Sequence, residues 1–216
     1  MNNIEKIVDI LERGQQPSRS ECSFFVNKVF SGGVDKDVIT KILRLFNNVG
    51  FDAPQLSGFA ESMRKVSKKV ICKKNIVDNC GTGGDAMHTF NISTTASLIA
   101  SCCEVSVAKH GNKSITSNSG SADLLSGVGI KINLSPEAVS NCIEKLNFGF
   151  MFAPLHHQAM KNVAASRKEI APNKTIFNML GPITNPANAQ IQLIGVFGKS
   201  AMHLVADSLM ELGTSR

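Results

Sequence analysis

The chain contains no tryptophan and no tyrosine, and its twelve phenylalanines sit mostly in apolar stretches. Single-stranded nucleic acid is gripped by exposed aromatic faces, so no nucleic-acid partner is expected. No apolar run approaches the roughly eighteen residues of a membrane span, so no membrane partner is expected either. The N-terminus, Met1-Asn2-Asn3-Ile4-Glu5-Lys6, lacks the apolar core of a secretory leader, which makes the cytoplasm the expected compartment. The six cysteines (Cys22, Cys72, Cys80, Cys102, Cys103 and Cys142) form no Cys-x-x-Cys pair and no zinc spacing with the five histidines. In a reducing compartment they read as free thiols, mostly small core residues.

Negative charge is in the minority: 17 acidic residues face 23 lysines and arginines, a net charge of +6 and a pI near 9.1. Much of the excess is local, at Arg64, Lys65, Lys68, Lys69, Lys73 and Lys74. Such a run ordinarily marks a solvated helix end and linker. A basic surface also suits a phosphate-bearing ligand by electrostatic steering. With 216 residues, 43% of them hydrophobic, the chain can build one or two compact domains with a real core.

What is present is concentrated in two polar, glycine-bearing loops. The first is Asp78-Asn79-Cys80-Gly81-Thr82-Gly83-Gly84-Asp85, preceded by the strand-like Asn75-Ile76-Val77. It is followed by Asn91-Ile92-Ser93-Thr94, in which Asn91 or Ser93 can cap a helix. Strand, glycine loop and helix N-terminus make a natural anion seat, because uncovered N–H groups and the helix dipole both favour negative charge. Neither the Gly-Lys-Ser/Thr of a P-loop nor the dinucleotide G-x-G-x-x-G pattern is found there. The second loop runs from Lys109-His110-Gly111-Asn112-Lys113-Ser114 through Thr116-Ser117-Asn118-Ser119-Gly120-Ser121. It follows a short strand at Val105 to Ala108, and Ser119 or Ser121 is its expected helix cap. Lys109 and Lys113 supply positive charge and the hydroxyls supply short donors, a set suited to phosphate or diphosphate.

Elsewhere the pattern divides in two. Residues 2 to about 69 read as helices, with Ile4, Ile7, Val8 and Leu11 on one face, then Phe25, Val26, Val29 and Phe30. Val38, Ile39, Ile42 and Leu43 mark a third helix, and Pro54 opens a fourth through Leu56, Phe59 and Met63. Gly14, Gly32-Gly33 and Gly50 fall at the breaks. From residue 75 strands and helices alternate, with further strands expected at Gly149 to Phe152 and Ile191 to Val196. Ser135-Pro136 is a helix start, and Ala201 to Leu212 reads as a helix stopped by Gly213. Alternation of this kind implies an α/β fold with a mainly parallel sheet.

Gly81-Thr82-Gly83-Gly84-Asp85, Asn91-Ile92-Ser93-Thr94, Lys109-His110-Gly111-Asn112 and Ser119-Gly120-Ser121-Ala122-Asp123 together resemble the signature loops of the anthranilate phosphoribosyltransferase family. So do Phe152-Ala153-Pro154 with His157, Arg167, and Phe177-Asn178-Met179-Leu180-Gly181-Pro182 with Asn185-Pro186. The related pyrimidine nucleoside phosphorylases carry Lys-His-Ser-Thr-Gly-Gly in place of the first loop, which separates the two readings. A non-catalytic nucleic-acid-binding relative of the same fold is a further alternative.

The resemblance implies a small N-terminal helical domain, residues 1–69, joined by a later segment near 168–188. It would be packed on an α/β domain, residues 70–216, with the active site in the cleft between them. It implies transfer of the phosphoribosyl group of 5-phosphoribosyl-1-diphosphate to anthranilate, in tryptophan biosynthesis, with Mg²⁺ and no covalent catalytic residue. Gly81, Gly84, Asp85, Thr89, Asn91, Ser93, Thr94, Lys109, Asn112, Lys113, Ser114, Ser117 and Ser121 would bind the donor. Gly81, His110, Asn112, His157, Arg167 and Pro182 would bind anthranilate, and Ser93 would ligate the metal. A homodimer is also implied.

Ala86, Lys113, Asn118 and Lys174 depart from the residues usual in the family, while keeping most hydrogen-bond donors. The family continues beyond Leu212-Gly213-Thr214-Ser215-Arg216 with another strand and an acidic metal-binding pair, so the resemblance implies a chain shortened at its C-terminal end.

Overall fold

The computed structural model describes residues 3–82, 90–113, 120–196 and 198–216. Helices α1 (Asn3–Glu12), α2 (Arg19–Phe30), α3 (Lys36–Val49) and α4 (Ala53–Val66) come first. Then follow β1 (Val77–Gly81), α5 (Ile92–Cys102), β2 (Val107–Gly111), α6 (Ser121–Gly127), α7 (Pro136–Leu146) and β3 (Phe148–Phe152). The chain closes with α8 (Ala153–His156), α9 (Lys161–Ile170), β4 (Ile191–Gly195) and α10 (Lys199–Glu211), with short 3₁₀ turns on either side of α9. These elements divide into two compact units.

The first unit comprises Met1–Val66, Gln158–Thr184 and His203–Gly213. Its helices turn their periodic apolar residues inward: Ile7 and Leu11, then Phe25, Val26 and Val29, then Ile39, Ile42, Leu43 and Phe46, are all buried. Phe59 of α4 is the centre of the packing. Phe25, Phe46 and Phe177 surround its ring at 6.0, 5.5 and 5.3 Å, the last two edge-on, the arrangement favoured by the ring quadrupoles. Helix α2 begins with a capping box, in which Ser18 Oγ accepts from Glu21 N at 3.3 Å and Glu21 Oε2 accepts from Ser18 N at 2.8 Å.

This unit differs from the expected residues 1–69 with 168–188, for a visible reason. The whole of α9 packs on α3: Ser166 Oγ donates to Lys36 O at 3.2 Å, and Lys36 pairs with Glu169. The end of α10 also belongs here, since Glu211 pairs with Arg19 at 3.5 Å and accepts a short hydrogen bond from Ser57.

The second unit comprises Ser67–His157, Asn185–Met202 and Thr214–Arg216. Its four-stranded sheet has the order β3-β2-β1-β4, all pairs parallel. Two strands lie later than the sequence pattern suggests. β1 covers Val77–Gly81 rather than Asn75–Val77, and β2 covers Val107–Gly111 rather than Val105–Ala108. Asp78, Asn79, Lys109 and His110 read as loop because they are polar, yet Asp78, Lys109 and His110 are buried in strands. β3 begins one residue earlier than expected, and β4 ends one residue earlier.

Alternation along β2 and β3 builds a core on each face of the sheet. Ala108 and Met151 pack with Val139 and Ile143 of α7, whereas Phe150 packs with Ala122 and Leu125 of α6. The strand order runs from β1 outward to β3, then reverses to place β4 on the other side of β1. In an open parallel sheet, ligands bind outside the carboxyl ends of the strands at such a reversal. Here those ends are Gly81 and Gly195, which are register partners.

Gly58 marks a close helix–helix approach: a Cβ there would lie 2.5 Å from Arg19 O. Gly58→Ala is expected to destabilise the protein by about 1–3 kcal/mol in urea unfolding, because backbone has to move. Gly127→Ala, where a Cβ meets nothing within 4 Å, is expected to change stability by less than about 1 kcal/mol.

Candidate active site

At the end of β1 the chain leads towards α5, whose first turn is capped by Asn91. The Asn91 Oδ1 accepts from Thr94 N at 3.1 Å and from Ser93 Oγ at 3.3 Å, so Asn91 rather than Ser93 is the cap. Ile92 N donates to Phe90 O at 2.7 Å, so what this turn offers an anion is chiefly the positive end of the α5 dipole. Ser93 is half-buried, while Thr94 is fully buried and donates its hydroxyl to Ser121 Oγ at 2.9 Å. That bond ties the first turn of α5 to the first turn of α6. The cap of α6 is Gly120, not Ser119 or Ser121: its backbone is extended, and its N–H donates to Asp123 Oδ2 at 3.0 Å. Ser121 thereby becomes the first helical residue. Gly111 has to be small here, since a Cβ would sit 3.0 Å from both Phe150 and Ser121.

Lys109 does not project into solvent as a loop cation. It is 1% exposed, and its ammonium donates to Asn79 O at 2.7 Å and Asn79 Oδ1 at 3.2 Å, with Ser93 Oγ at 3.5 Å. Burial pulls its pKa below the ordinary lysine value, against the opposing charges of Asp78 and Cys80. Asn112 and Lys113 are exposed, and Lys113 N donates to Asn112 Oδ1 at 2.8 Å. Gly81 is exposed at the strand end. Gly84, Asp85, Thr89, Ser114 and Ser117 lie outside the described residues.

The opposite face of the same strands carries a different chemistry. Asp78 is fully buried, and its Oδ1 accepts from His110 N at 3.4 Å. The His110 and His157 rings, both buried, meet edge-on at 5.0 Å. Asn185 supports this side, donating to Ala108 O at 2.9 Å and accepting from Ala187 N at 2.8 Å. His156 is buried beside them, its Nδ1 bonded to Lys68 O at 2.8 Å. Thus His110, expected near an acceptor, and Lys109, expected near a donor, occupy adjacent strand positions with opposite side-chain directions, and His157, at the end of α8, meets His110.

Arg167 and Pro182 belong to the first unit. Arg167 lies in the last turn of α9, where burial pulls its pKa below the ordinary arginine value. Among the described residues no carboxylate lies within ion-pair distance of its guanidinium. Pro182 is buried in a 3₁₀ turn.

Asn79, Ser97, Asp78 and Asn185 were not singled out as site residues by the sequence reading. The available signal was parity. An Asp-Asn pair entering a buried strand puts one polar side chain on each face, and Ser97 stands one helical turn after Ser93.

The glycosyl transferase family, a/b domain, matches residues 73–216, and the chain belongs to that family. It is similar to an anthranilate phosphoribosyltransferase of Chlorobium phaeovibrioides, 43% identical over 210 residues, 97% of this chain and 60% of that protein. The enzyme of the same name from Methanosarcina barkeri is 43% identical over 98% of this chain and 58% of its own length. Among solved structures, anthranilate phosphoribosyltransferase from Thermus thermophilus superposes with a TM-score of 0.91 at 34% identity, over 99% of this chain and 64% of that one. The Saccharomyces cerevisiae enzyme in complex with PRPP and Mg superposes with a TM-score of 0.88 at 26% identity, covering 98% of this chain and 63% of that one. The chain therefore spans about three fifths of the length of these relatives.

Burial raises the Asp78 pKa from 3.8 to about 6, only partly offset by the Asn185 amide, the Lys109 charge and the His110 N–H. A raised carboxyl pKa means that the folded protein holds a proton which the unfolded chain has released. Between pH 4 and 6 this group's contribution to stability therefore falls as pH rises, and the full cost applies above about pH 6. The unfolding free energy of Asp78→Asn relative to the parent should rise by roughly 2 kcal/mol from pH 4 to pH 7. Urea unfolding at the two pH values checks this; a difference independent of pH would show Asp78 to be ionised at its ordinary value.

Proposed function

We propose that this chain serves an anthranilate phosphoribosyltransferase reaction: 5-phosphoribosyl-1-diphosphate and anthranilate give N-(5-phosphoribosyl)anthranilate and diphosphate. The observation that carries this reading is the convergence of a capped α5 N-terminus, the Ser93 hydroxyl and the Lys109 ammonium at the carboxyl ends of β1 and β2. The names of the relatives, and the PRPP and Mg bound to the yeast enzyme, supply the donor and the metal.

In this reaction the ribose C1–oxygen bond breaks, a bond from C1 to the anthranilate nitrogen forms, the nitrogen loses a proton, and diphosphate leaves. Positive charge builds on the sugar and negative charge on the leaving group. The residues act by placing donors where that negative charge grows and by holding the acceptor close. The positive end of the α5 dipole, Ser93, Asn112 and Lys113 would hold the donor. Lys109 would act mainly by keeping β1 and α5 in place, since its ammonium is engaged inside the protein.

Mg²⁺ takes oxygen ligands and is commonly held by substrate phosphates with few protein groups. No group of three or more His, Cys, Asp or Glu residues suited to a metal occurs among the described residues. A single hydroxyl at Ser93 fits an ion that arrives with the diphosphate, and the ion would supply charge neutralisation there. Arg167, a half-buried guanidinium, suits a carboxylate such as that of anthranilate by its chemistry, and the His110–His157 ring pair suits an aromatic ligand by its own. We further infer a homodimer acting in the cytoplasm, as the resemblance implies.

Loss of anthranilate fluorescence on mixing with phosphoribosyl diphosphate and Mg²⁺ tests the reaction. Phosphorolysis of thymidine or uridine instead, or salt-dependent retention of an oligonucleotide without turnover, would replace it. Ser93→Ala is expected to reduce the Mg²⁺-dependent part of the donor-induced rise in melting temperature, and an unchanged rise would remove Ser93 as a ligand. Arg167→Ala should raise the KM for anthranilate by roughly ten- to a hundredfold, and that for the donor far less, as expected for a lost charged hydrogen bond. Equal effects on both substrates would give Arg167 a structural role.

A further inference from the structure

We propose that Asn79 is a positioning residue for the donor site: its amide sets the first turn of α5, and through that turn aims the Ser93 hydroxyl. The inference rests on the functional reading above, which places Ser93 at the diphosphate and its metal.

Asn79 is the next-to-last residue but one of β1, and it sits on the face of the sheet that carries Lys109. Both polar atoms of its side chain are engaged within the protein. The Nδ2 donates to Ser93 O at 2.8 Å. The Oδ1 accepts a short hydrogen bond from Ser97 Oγ and a second bond, 3.2 Å long, from Lys109 Nζ. The main-chain oxygen of Asn79 accepts from the same ammonium at 2.7 Å. Ser97 Oγ also approaches Ser93 O at 2.8 Å, so Asn79, Ser93 and Ser97 form a closed triangle between the strand and the second turn of the helix.

The chemistry of the triangle requires an amide. Ser93 presents a carbonyl to the Asn79 Nδ2, while Ser97 and Lys109 present donors to the Asn79 Oδ1. Only a side chain with both functions, on the correct sides, satisfies the three at once. An aspartate would turn an oxygen towards the Ser93 carbonyl, and an alanine would leave the Lys109 ammonium without its side-chain acceptor in the interior. Polar networks anchored on buried groups, here Lys109 and Ser97, fix one geometry.

What they fix here is the residue expected to meet the ligand. With its carbonyl held by Asn79 and its hydroxyl bonded to Asn91 Oδ1, Ser93 cannot rotate away with the first turn of α5. The Lys109 ammonium, 3.5 Å from Ser93 Oγ, is held on the same side by the same amide. The Asn79 Nδ2 and Oδ1 are turned to Ser93, Ser97 and Lys109, so its effect passes through Ser93 and α5.

Titration calorimetry with Mg²⁺ and phosphoribosyl diphosphate, on the parent and on Asn79→Ala, Asn79→Asp, Ser93→Ala and the double variant Asn79→Ala with Ser93→Ala, decides the matter. In the parent, Mg²⁺ should strengthen donor binding. In Asn79→Ala and Asn79→Asp, affinity for the donor in Mg²⁺ should fall roughly tenfold or more, with most of the Mg²⁺ enhancement gone, the scale expected for losing an engaged, half-buried polar group that holds a buried ammonium. The double variant should bind about as well as the weaker single variant, because the two residues act as one unit. Additive losses, or a lowered melting temperature of the ligand-free protein with unchanged donor affinity, would overturn the proposal and leave Asn79 as a packing residue. If Asn79→Ala does not fold, Ser97→Ala, which removes one edge of the triangle, is read in the same way. A parent protein that binds no donor with Mg²⁺ overturns the functional reading itself, an outcome visible before any variant is compared.

Discussion

The arrangement of the second unit depends on one buried charge. Lys109 sits in the interior of a parallel sheet, where an uncompensated ammonium would cost several kcal/mol. Its compensation comes from a carbonyl and an amide oxygen, both of Asn79, and from the field of the buried Asp78 across the strand. Because the lysine is on β2 and its acceptor on β1, satisfying the charge also fixes how the two strand ends meet. Gly81 and Gly111, the last residues of the two strands, are positioned by this pair.

Period-two geometry then sorts the chemistry. Asp78 and His110 point one way along β1 and β2, and Asn79 and Lys109 the other. One face acquires hydroxyls, an amide and a cation around a helix N-terminus. The other acquires a carboxyl and the His110–His157 ring pair. The two kinds of environment are separated by the thickness of a strand, and adjacent residues in the sequence feed both. Thr94 and Ser121 extend the first face by joining α5 to α6.

Much of this was legible in the sequence. The helices of the first unit follow from their apolar period, and Ser135-Pro136 starts α7 with Ser135 Oγ accepting from Ala138 N at 3.2 Å. The strands were legible as elements but not as positions. Apolar runs place β1 and β2 two residues early, because a lysine, a histidine and an aspartate inside a sheet look like loop until their partners are known. The cap of α6 was misplaced for a related reason: Asp123 reaches back to the Gly120 N–H, so the serine beside it is freed from capping. Asn79 and Ser97 were invisible as functional residues, since nothing in a linear pattern says that positions 18 apart share a hydrogen bond. Segment 203–213 joined the helical unit through Arg19, Ser57 and Glu211, a contact between residues that no local periodicity connects.

The burial of the strand ends also sorts the thiols. Cys80, beside the first glycine loop, has its pKa pushed well above the ordinary value by desolvation and by the neighbouring Asp78, so its thiolate is scarce at neutral pH. Cys22 is pushed to about 12 by burial in the helical unit. Cys102 and Cys103, at the far end of α5, are exposed. An alkylating reagent should therefore mark the tail of the helix whose head faces the proposed ligand, and should spare the strand that carries the loop. A fluorophore attached there would sit some fifteen ångströms along the axis from Ser93, at about 1.5 Å per residue, giving the protein an optical handle on its own binding site that leaves the site's chemistry untouched.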